Sequence, residues 1–191
     1  QEQIAPITVD QIYLDANGKK ATKTYTVTKD EGPRAGTSKE ALAKLRAVFA
    51  AGGSVTAGNS SQMSDGAAFV MVMSEDMVKE LNIEPIARMV NYAAAGVEPR
   101  IMGIGPVAAI PKALKQAGLK QNDIDLIELN EAFASQSLAV IEALGLDPAR
   151  VNPCGGAIAL GHPLGATGAL KAVTLLHGMR RTGGKRGLVT M

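Results

Sequence analysis

A chain of 191 residues that is 46% hydrophobic and 20% charged has the composition of a globular protein and falls outside the disordered and collagen-like ranges. Its 20 basic and 18 acidic residues leave a net charge of +2, too dispersed to favour nucleic acid or a membrane surface, and no run of about 18 apolar residues marks a membrane span. Aromatic residues make up 3% with no Trp, so the core must be built from Ala, Val, Ile, Leu and Met.

From Gln3 to Thr28 the pattern is strand-like. Ile4, Ile7 and Val9 lead to Ile12-Tyr13-Leu14, and Asn17-Gly18 separates these from the alternating Thr24-Tyr25-Thr26-Val27-Thr28, which predicts a hairpin. A loop, Asp30-Glu31-Gly32-Pro33-Arg34, follows. Thr37-Ser38-Lys39-Glu40 then predicts a helix start with an N-cap hydroxyl, running through Ala41-Leu42-Ala43-Lys44-Leu45 to a stop at Gly52-Gly53. A second loop, Thr56 to Gly66, precedes an apolar run from Ala67 to Met73.

Beyond Asn82 strand and helix patterns alternate. Ile86 to Ala95 reads as a strand, and Pro106 to Gln116 as a helix with Pro in its first turn. Ile124 to Leu129 reads as a short buried strand, Glu131 to Leu144 as a helix, Val151 to Gly161 as a Gly-rich loop, Gly165 to Arg181 as a helix, and Leu188 to Met191 as the start of a strand. The alternation implies an α/β sandwich whose sheet is covered on both faces in at least part. The basic cluster of Arg180, Arg181, Lys185 and Arg186 reads as a solvated helix end favoured by the helix dipole. Cys154 is the one cysteine, so it forms no internal disulfide, which fits a reducing, cytoplasmic compartment. The start at Gln1 and the stop inside an apolar strand at Met191 lead us to expect a fragment or processed product with no readable targeting signal.

Two segments could carry chemistry. In Asn152-Pro153-Cys154-Gly155-Gly156-Ala157-Ile158-Ala159-Leu160-Gly161-His162-Pro163-Leu164-Gly165-Ala166-Thr167-Gly168, glycines permit close backbone approach, and Gly161 and Pro163 fix one imidazole at a helix entrance. Such a His suits acid-base or oxyanion work; the alternative is a structural His in a turn. In Asn130-Glu131-Ala132-Phe133-Ala134, Asn130 stands where a strand hands over to a helix, a usual ligand position in α/β proteins; the alternative is a simple helix cap.

Together these segments resemble the thiolase family. Asp30-Glu31-Gly32-Pro33-Arg34, Ala41-Leu42-Ala43-Lys44-Leu45, Thr56-Ala57-Gly58-Asn59-Ser60-Ser61 and Asp65-Gly66-Ala67-Ala68 agree as well, so the resemblance spans nearly the whole chain. It implies a layered α/β sandwich with mixed sheets, incomplete here: residues 1–62 as part of the family's loop region, 63–81 as the end of its N-terminal domain, and 82–191 as its C-terminal domain without the last strand. It also implies acyl transfer between a cysteine thiolate and coenzyme A, cleaving 3-ketoacyl-CoA or condensing two acyl-CoA units.

By the same resemblance His162 activates the nucleophile and shares an oxyanion site with a water held by Asn130. The backbone of Ala57 and Gly58, with Ser61, lies beside the pantetheine arm; Phe133 supplies apolar wall, and Arg34 meets the nucleotide end, where a guanidinium suits phosphate. Ser61, Phe133 and Arg34 have structural alternatives, as core or loop residues. No metal and no cofactor is implied beyond coenzyme A and acyl-CoA as substrates. Both family cysteines, nucleophile and acid-base, are expected outside these residues, and Cys154, read as a small buried thiol, fills neither role. The expectation is a piece that is inactive alone, completed by the missing N-terminal half of the same protein in a homodimer or homotetramer, with large apolar surface exposed without that half. A non-catalytic acyl-CoA or lipid-binding relative is the rival. A weaker one is an NAD-dependent dehydrogenase, because Gly103-Ile104-Gly105-Pro106-Val107-Ala108 fits G-x-G-x-x-A.

Overall fold

The computed structural model describes residues 3–191, and the chain divides into two compact units, Gln1–Glu31 and Gly32–Met191. The first is an antiparallel hairpin of β1 (Ile7–Leu14) and β2 (Lys20–Val27), with Ile7 opposite Val27 and Leu14 opposite Lys20. Its turn lies at Asn17-Gly18 but is wider than the two-residue turn that this dipeptide favours. Asp15 N–H donates to Lys19 O and Gly18 N–H to Asp15 O, each at 2.9 Å. Within the turn only Gly18 takes a positive φ, +72°.

In the second unit the predicted helix after Ser38 is a single turn, α1 (Lys39–Leu42). Ser38 Oγ accepts from Ala41 N–H at 3.2 Å, so the cap is where it was expected. The helix ends well before Gly52-Gly53 because the chain folds back on itself: Ala47 bridges Thr56, and Val48 N–H donates to Val55 O. A 3-10 turn at Ala57–Asn59 follows, capped by Thr56. Helix α2 (Glu75–Glu80) starts from Ser74, whose hydroxyl accepts from Met77 N–H.

The expected strand from Ile86 to Ala95 is irregular chain with no ladder among the described residues. A strand needs backbone partners on an edge, and this run has none there. Its side chains reflect that: Ile86, Met89, Val90 and Tyr92 are exposed, as are Phe69, Met71 and Val72 in the earlier apolar run. The exposed apolar surface expected from the sequence is therefore present.

From Gly105 onward the chain packs. Helix α3 (Gly105–Ala117) carries Pro106 in its first turn and ends at Gly118 in the left-handed conformation, φ +66°. The order then runs β3 (Leu126–Leu129), α4 (Ala134–Leu144), α5 (Ala157–Leu160), α6 (Thr167–Thr182) and β4 (Gly187–Thr190). Strands β3 and β4 are parallel, Leu126 beside Gly187 and Leu129 beside Thr190, and Val151 bridges the other edge of β3 at Ile127. One small sheet is thus antiparallel and the other parallel.

All four residues of β3 are buried, because its two faces meet different helices. Ile127 and Leu129 join Ile110, Leu114, Val140 and Leu146 in one core with α3 and α4. Leu126 and Glu128 point the other way, as strand alternation requires. Gly178 of α6 packs against Leu126, where a Cβ would stand 3.2 Å from its Cδ1, and Lys171 of α6 meets Glu128. The thiolase-like α/β fold, a sheet covered on both faces, is the one anticipated.

Candidate active site

The two candidate catalytic residues, Asn130 and His162, meet at the carboxyl end of β3. Asn130 continues the strand ladder, its N–H donating to Thr190 O at 2.9 Å. Helix α4 begins only at Ala134, with Phe133 as its N-cap residue, so Asn130 is not the cap of the helix that the sequence placed at Glu131. Its side chain is free for another task. Asn130 is 6% exposed, and its Nδ2 lies 3.3 Å from His162 Nε2.

The imidazole is held from its other nitrogen by Thr167 Oγ1, at 2.7 Å from Nδ1. With Asn130 Nδ2 as donor, Nε2 is the acceptor, so the ring proton sits on Nδ1 and is donated to the buried Thr167 hydroxyl. That tautomer leaves Nε2 in the form a general base needs. Asn130 Oδ1 is buried with no hydrogen-bond partner, and a buried acceptor of that kind is costly unless a donor reaches it.

The Gly-rich segment holds these groups in place by close packing. Gly161, at φ +96°, sits where any Cβ would collide with the Ser64 side chain. His162 N–H donates to Gln62 O at 3.2 Å, and Gln62 Nε2 reaches back to Ile158 O at 3.1 Å and Ala159 O at 3.2 Å. The segment expected as a plain loop also contains the helical turn α5. A Cβ on Gly156, just before α5, would collide with the Glu131 carboxylate.

Three residues absent from the sequence-based site build its frame. Asn152, at φ +48°, donates its N–H to Ile127 O at 2.9 Å. Its side chain then acts as a further strand residue: Oδ1 accepts from Leu129 N–H at 2.9 Å and Nδ2 donates to Leu129 O at 2.8 Å. Nδ2 also donates to Glu131 Oε1 at 2.8 Å, and Glu131 Oε2 accepts from Ile158 N–H at 3.3 Å. Thr167 is the third. The signal for all three is the motif itself, where Asn152, Glu131 and Thr167 stand near Asn130 and His162, but the partners of Asn152 and Glu131 are remote in sequence.

The loop residues proposed for coenzyme A fall partly together. Ser61 N–H donates to Ala132 O at 2.9 Å and Ser60 bridges Phe133, so Ser61 and Phe133 are neighbours. Phe133 is half-buried and stacks edge-to-face on Phe49, centroids 6.0 Å apart. Ala57 and Gly58 lie in the capped 3-10 turn, Gly58 packed so closely on Leu42 and Leu45 that a Cβ would overlap both. Arg34 is exposed in the loop that begins at Gly32, whose carbonyl accepts from Gln62 Nε2 at 3.4 Å. Beside Pro163 an open depression of about 450 Å³ is lined by Ser64, Asp65, Gly66, Gly165 and Ala166.

Cys154 is exposed rather than buried, and its sulfur accepts from Arg181 Nη2 at 2.9 Å. The G-x-G-x-x-A segment lacks the strand that a dinucleotide fingerprint requires: a 3-10 stretch, Pro99–Ile104, runs straight into α3. Among the described residues no helix is long and apolar enough to cross a membrane.

Comparison with known proteins is consistent throughout. The family model for the thiolase N-terminal domain matches residues 1–76 and that for the thiolase C-terminal domain residues 83–191. The peroxisomal 3-ketoacyl-CoA thiolase B of Rattus norvegicus is 53% identical over 190 residues, 99% of this chain and 44% of that protein. The crystal structure of Bacillus anthracis acetyl-CoA acetyltransferase superposes with a TM-score of 0.89 at 45% identity, covering 98% of this chain and 45% of the other. Human mitochondrial 3-ketoacyl-CoA thiolase in complex with CoA gives 0.77 at 48% identity, covering 83% and 40%. The chain thus spans less than half the length of these relatives.

Proposed function

The chain belongs to the thiolase family, and from that premise we propose that it supplies the His and Asn part of an acyl-CoA C-acyltransferase site that cleaves 3-ketoacyl-CoA with CoA, or condenses two acyl-CoA units. The observation that carries this reading is the pair itself: Asn130 Nδ2 3.3 Å from His162 Nε2, with Asn130 Oδ1 buried and unpartnered. An unprotonated Nε2 can take the proton of a cysteine thiol. The protonated ring, together with a water donating to Asn130 Oδ1, can then face a thioester oxygen as negative charge develops on it.

In thiolysis the thiolate attacks the 3-keto carbon, and the bond from that carbon to C2, the carbon next to the thioester, breaks. The leaving enolate takes a proton, and the sulfur of CoA displaces the enzyme thiol from the acyl group. This chain's one thiol contacts Arg181 rather than His162, so the nucleophile is proposed to come from further sequence of the same protein. Ser61, Ala57, Gly58 and Phe133 are proposed to line the pantetheine arm, and Arg34 to meet the nucleotide. Residues 1–62 are proposed as loop region, 63–81 as the end of one domain and 82–191 as the other. The whole protein is proposed to be a cytoplasmic homodimer or homotetramer.

Thiolysis of acetoacetyl-CoA tests this in two arms. The 191-residue chain alone is expected to turn over nothing. The protein expressed with its flanking coding sequence is expected to be active, and N130A in it to lose about 100- to 1,000-fold in kcat, as for loss of one oxyanion donor. Turnover by the chain alone overturns the first claim; a longer protein that binds acyl-CoA without turnover is instead the non-catalytic relative.

A further inference from the structure

The mechanism leaves one buried pair unused. Glu128 is 3% exposed and Lys171 4% exposed, and Lys171 Nζ meets Glu128 Oε2 at 3.3 Å. Burial pushes the Glu128 carboxyl up from its usual range, Lys171 pulls it back, and Glu131 adds to the rise. A buried ion pair of this kind adds little to stability over an apolar pair of the same volume, and its best-attested use is to fix one register among alternatives.

The placement points to such a use. Glu128 and Asn130 are two apart on an extended strand and share a face. Thr167 and Lys171 are four apart on α6 and share a face of the helix. Between the two elements run two rungs: Glu128–Lys171 directly, and Asn130–His162–Thr167 at 3.3 and 2.7 Å. Two strand residues advance about 6.6 Å and four helix residues about 6 Å, so the rungs match in spacing along both elements. The strand runs towards Asn130 while the helix runs from Thr167 towards Lys171, so a one-residue slip of α6 would turn Lys171 and Thr167 away together. Glu128, Lys171 and Thr167 also line one small cavity together with Gly156 and Gly161.

We propose that the Glu128–Lys171 ion pair is a positioning pair for His162: it fixes the register of α6 on β3 and so holds Thr167 where it accepts the Nδ1 proton and aims the imidazole. The catalytic consequence rests on the reading of His162 as the base; the effect on the ring does not.

The test replaces both charges, E128L/K171M, so that neither is left buried alone. Thermal unfolding and the ¹⁵N shifts of the imidazoles are measured on the full chain, whose two histidines keep the spectrum assignable. The variant is expected to unfold at or above the parental midpoint while the His162 ring loses its Nδ1–H signature and averages between tautomers. In the longer protein kcat should fall by about tenfold to a hundredfold, with KM for CoA unchanged. A folded double variant with parental ring shifts and parental kcat overturns the proposal. If the double variant does not fold, E128D keeps the charge but shortens the reach by one carbon and is expected to broaden the His162 signals; parental signals there overturn it equally. Should the unsubstituted longer protein show no thiolysis, the acyltransferase reading fails while the ring shifts still judge the pair.

Discussion

Residues 67–97 and residues 105–190 both contain apolar runs of similar character, yet they end in opposite environments. In the second region Ile110, Leu129 and Val140 are 2%, 0% and 0% exposed; in the first, Phe69, Met71 and Val72 are 90%, 82% and 81% exposed. Apolar patterning supplies the demand for burial, and a covering partner has to meet it. In the second region α3 and α4 cover one face of β3 and α6 the other. In the first no described element lies over the run. The candidate site stands on the packed side, at the end of β3, where hydrogen bonds from neighbouring elements hold Asn130 and His162.

The largest test of this contrast is a pair of truncations. Leu129→Ala should cost about 2–5 kcal/mol in denaturant unfolding, since the site cannot collapse around the loss. Phe69→Ala in the same chain should stay within about 0.5 kcal/mol. Repeating Phe69→Ala with the flanking coding sequence present sharpens the point. If further sequence covers the run, the cost there should rise to about 3–5 kcal/mol, and an unchanged value would break the contrast.

The same contrast explains how much was legible beforehand. From Pro106 to Thr190 the longer elements follow from periodicity, because each run there has its partners within the chain, whereas the single turn α5 lies in a segment that reads as loop and α4 starts at Ala134 rather than Glu131. The strand expected at Ile86 failed because a ladder is a property of two runs, and only one is present among the described residues. Asn130 and His162 were found through their motifs, and the structure joins them by one contact. Asn152 and Glu131 do not stand out in the sequence because their work is done across 21 to 27 residues, through bonds no local pattern announces. Cys154 was expected to be buried on the general habit of free thiols, but the turn at Asn152 carries it to the surface.

Asn152→Ala probes the packed side at its most economical device, a side chain standing in for a strand backbone. The change leaves the buried Leu129 N–H and C=O and the Glu131 carboxylate each short of a partner, so a loss of about 1–3 kcal/mol is expected in thermal or denaturant unfolding. Asn152→Gly, which accepts the positive φ but restores no bond, should recover only the part due to backbone strain. Full recovery by glycine would show that the latch to Leu129 contributes nothing.

The smallest effect is a pH dependence at the opposite end of the β3–β4 pair. Asp125 is exposed, yet its Oδ2 accepts from Lys185 N–H at 2.7 Å and Arg186 N–H at 2.9 Å, tying down the start of β4. The Arg186 and Lys185 backbone bonds hold its carboxyl below the ordinary Asp value, with smaller help from the Arg150 and Arg186 charges. A depressed carboxyl contributes stability above its unfolded pKa and loses it as pH falls through the lower folded one. Asp125→Asn should therefore lower the unfolding midpoint by a constant amount at neutral pH, and the gap to the parent should close as the solution is acidified below the usual Asp range. A gap that instead widens in acid would mean that the Asp125 carboxyl is not held low in the folded chain. β4 would then owe its place beside β3 to Leu188 and the ladder alone.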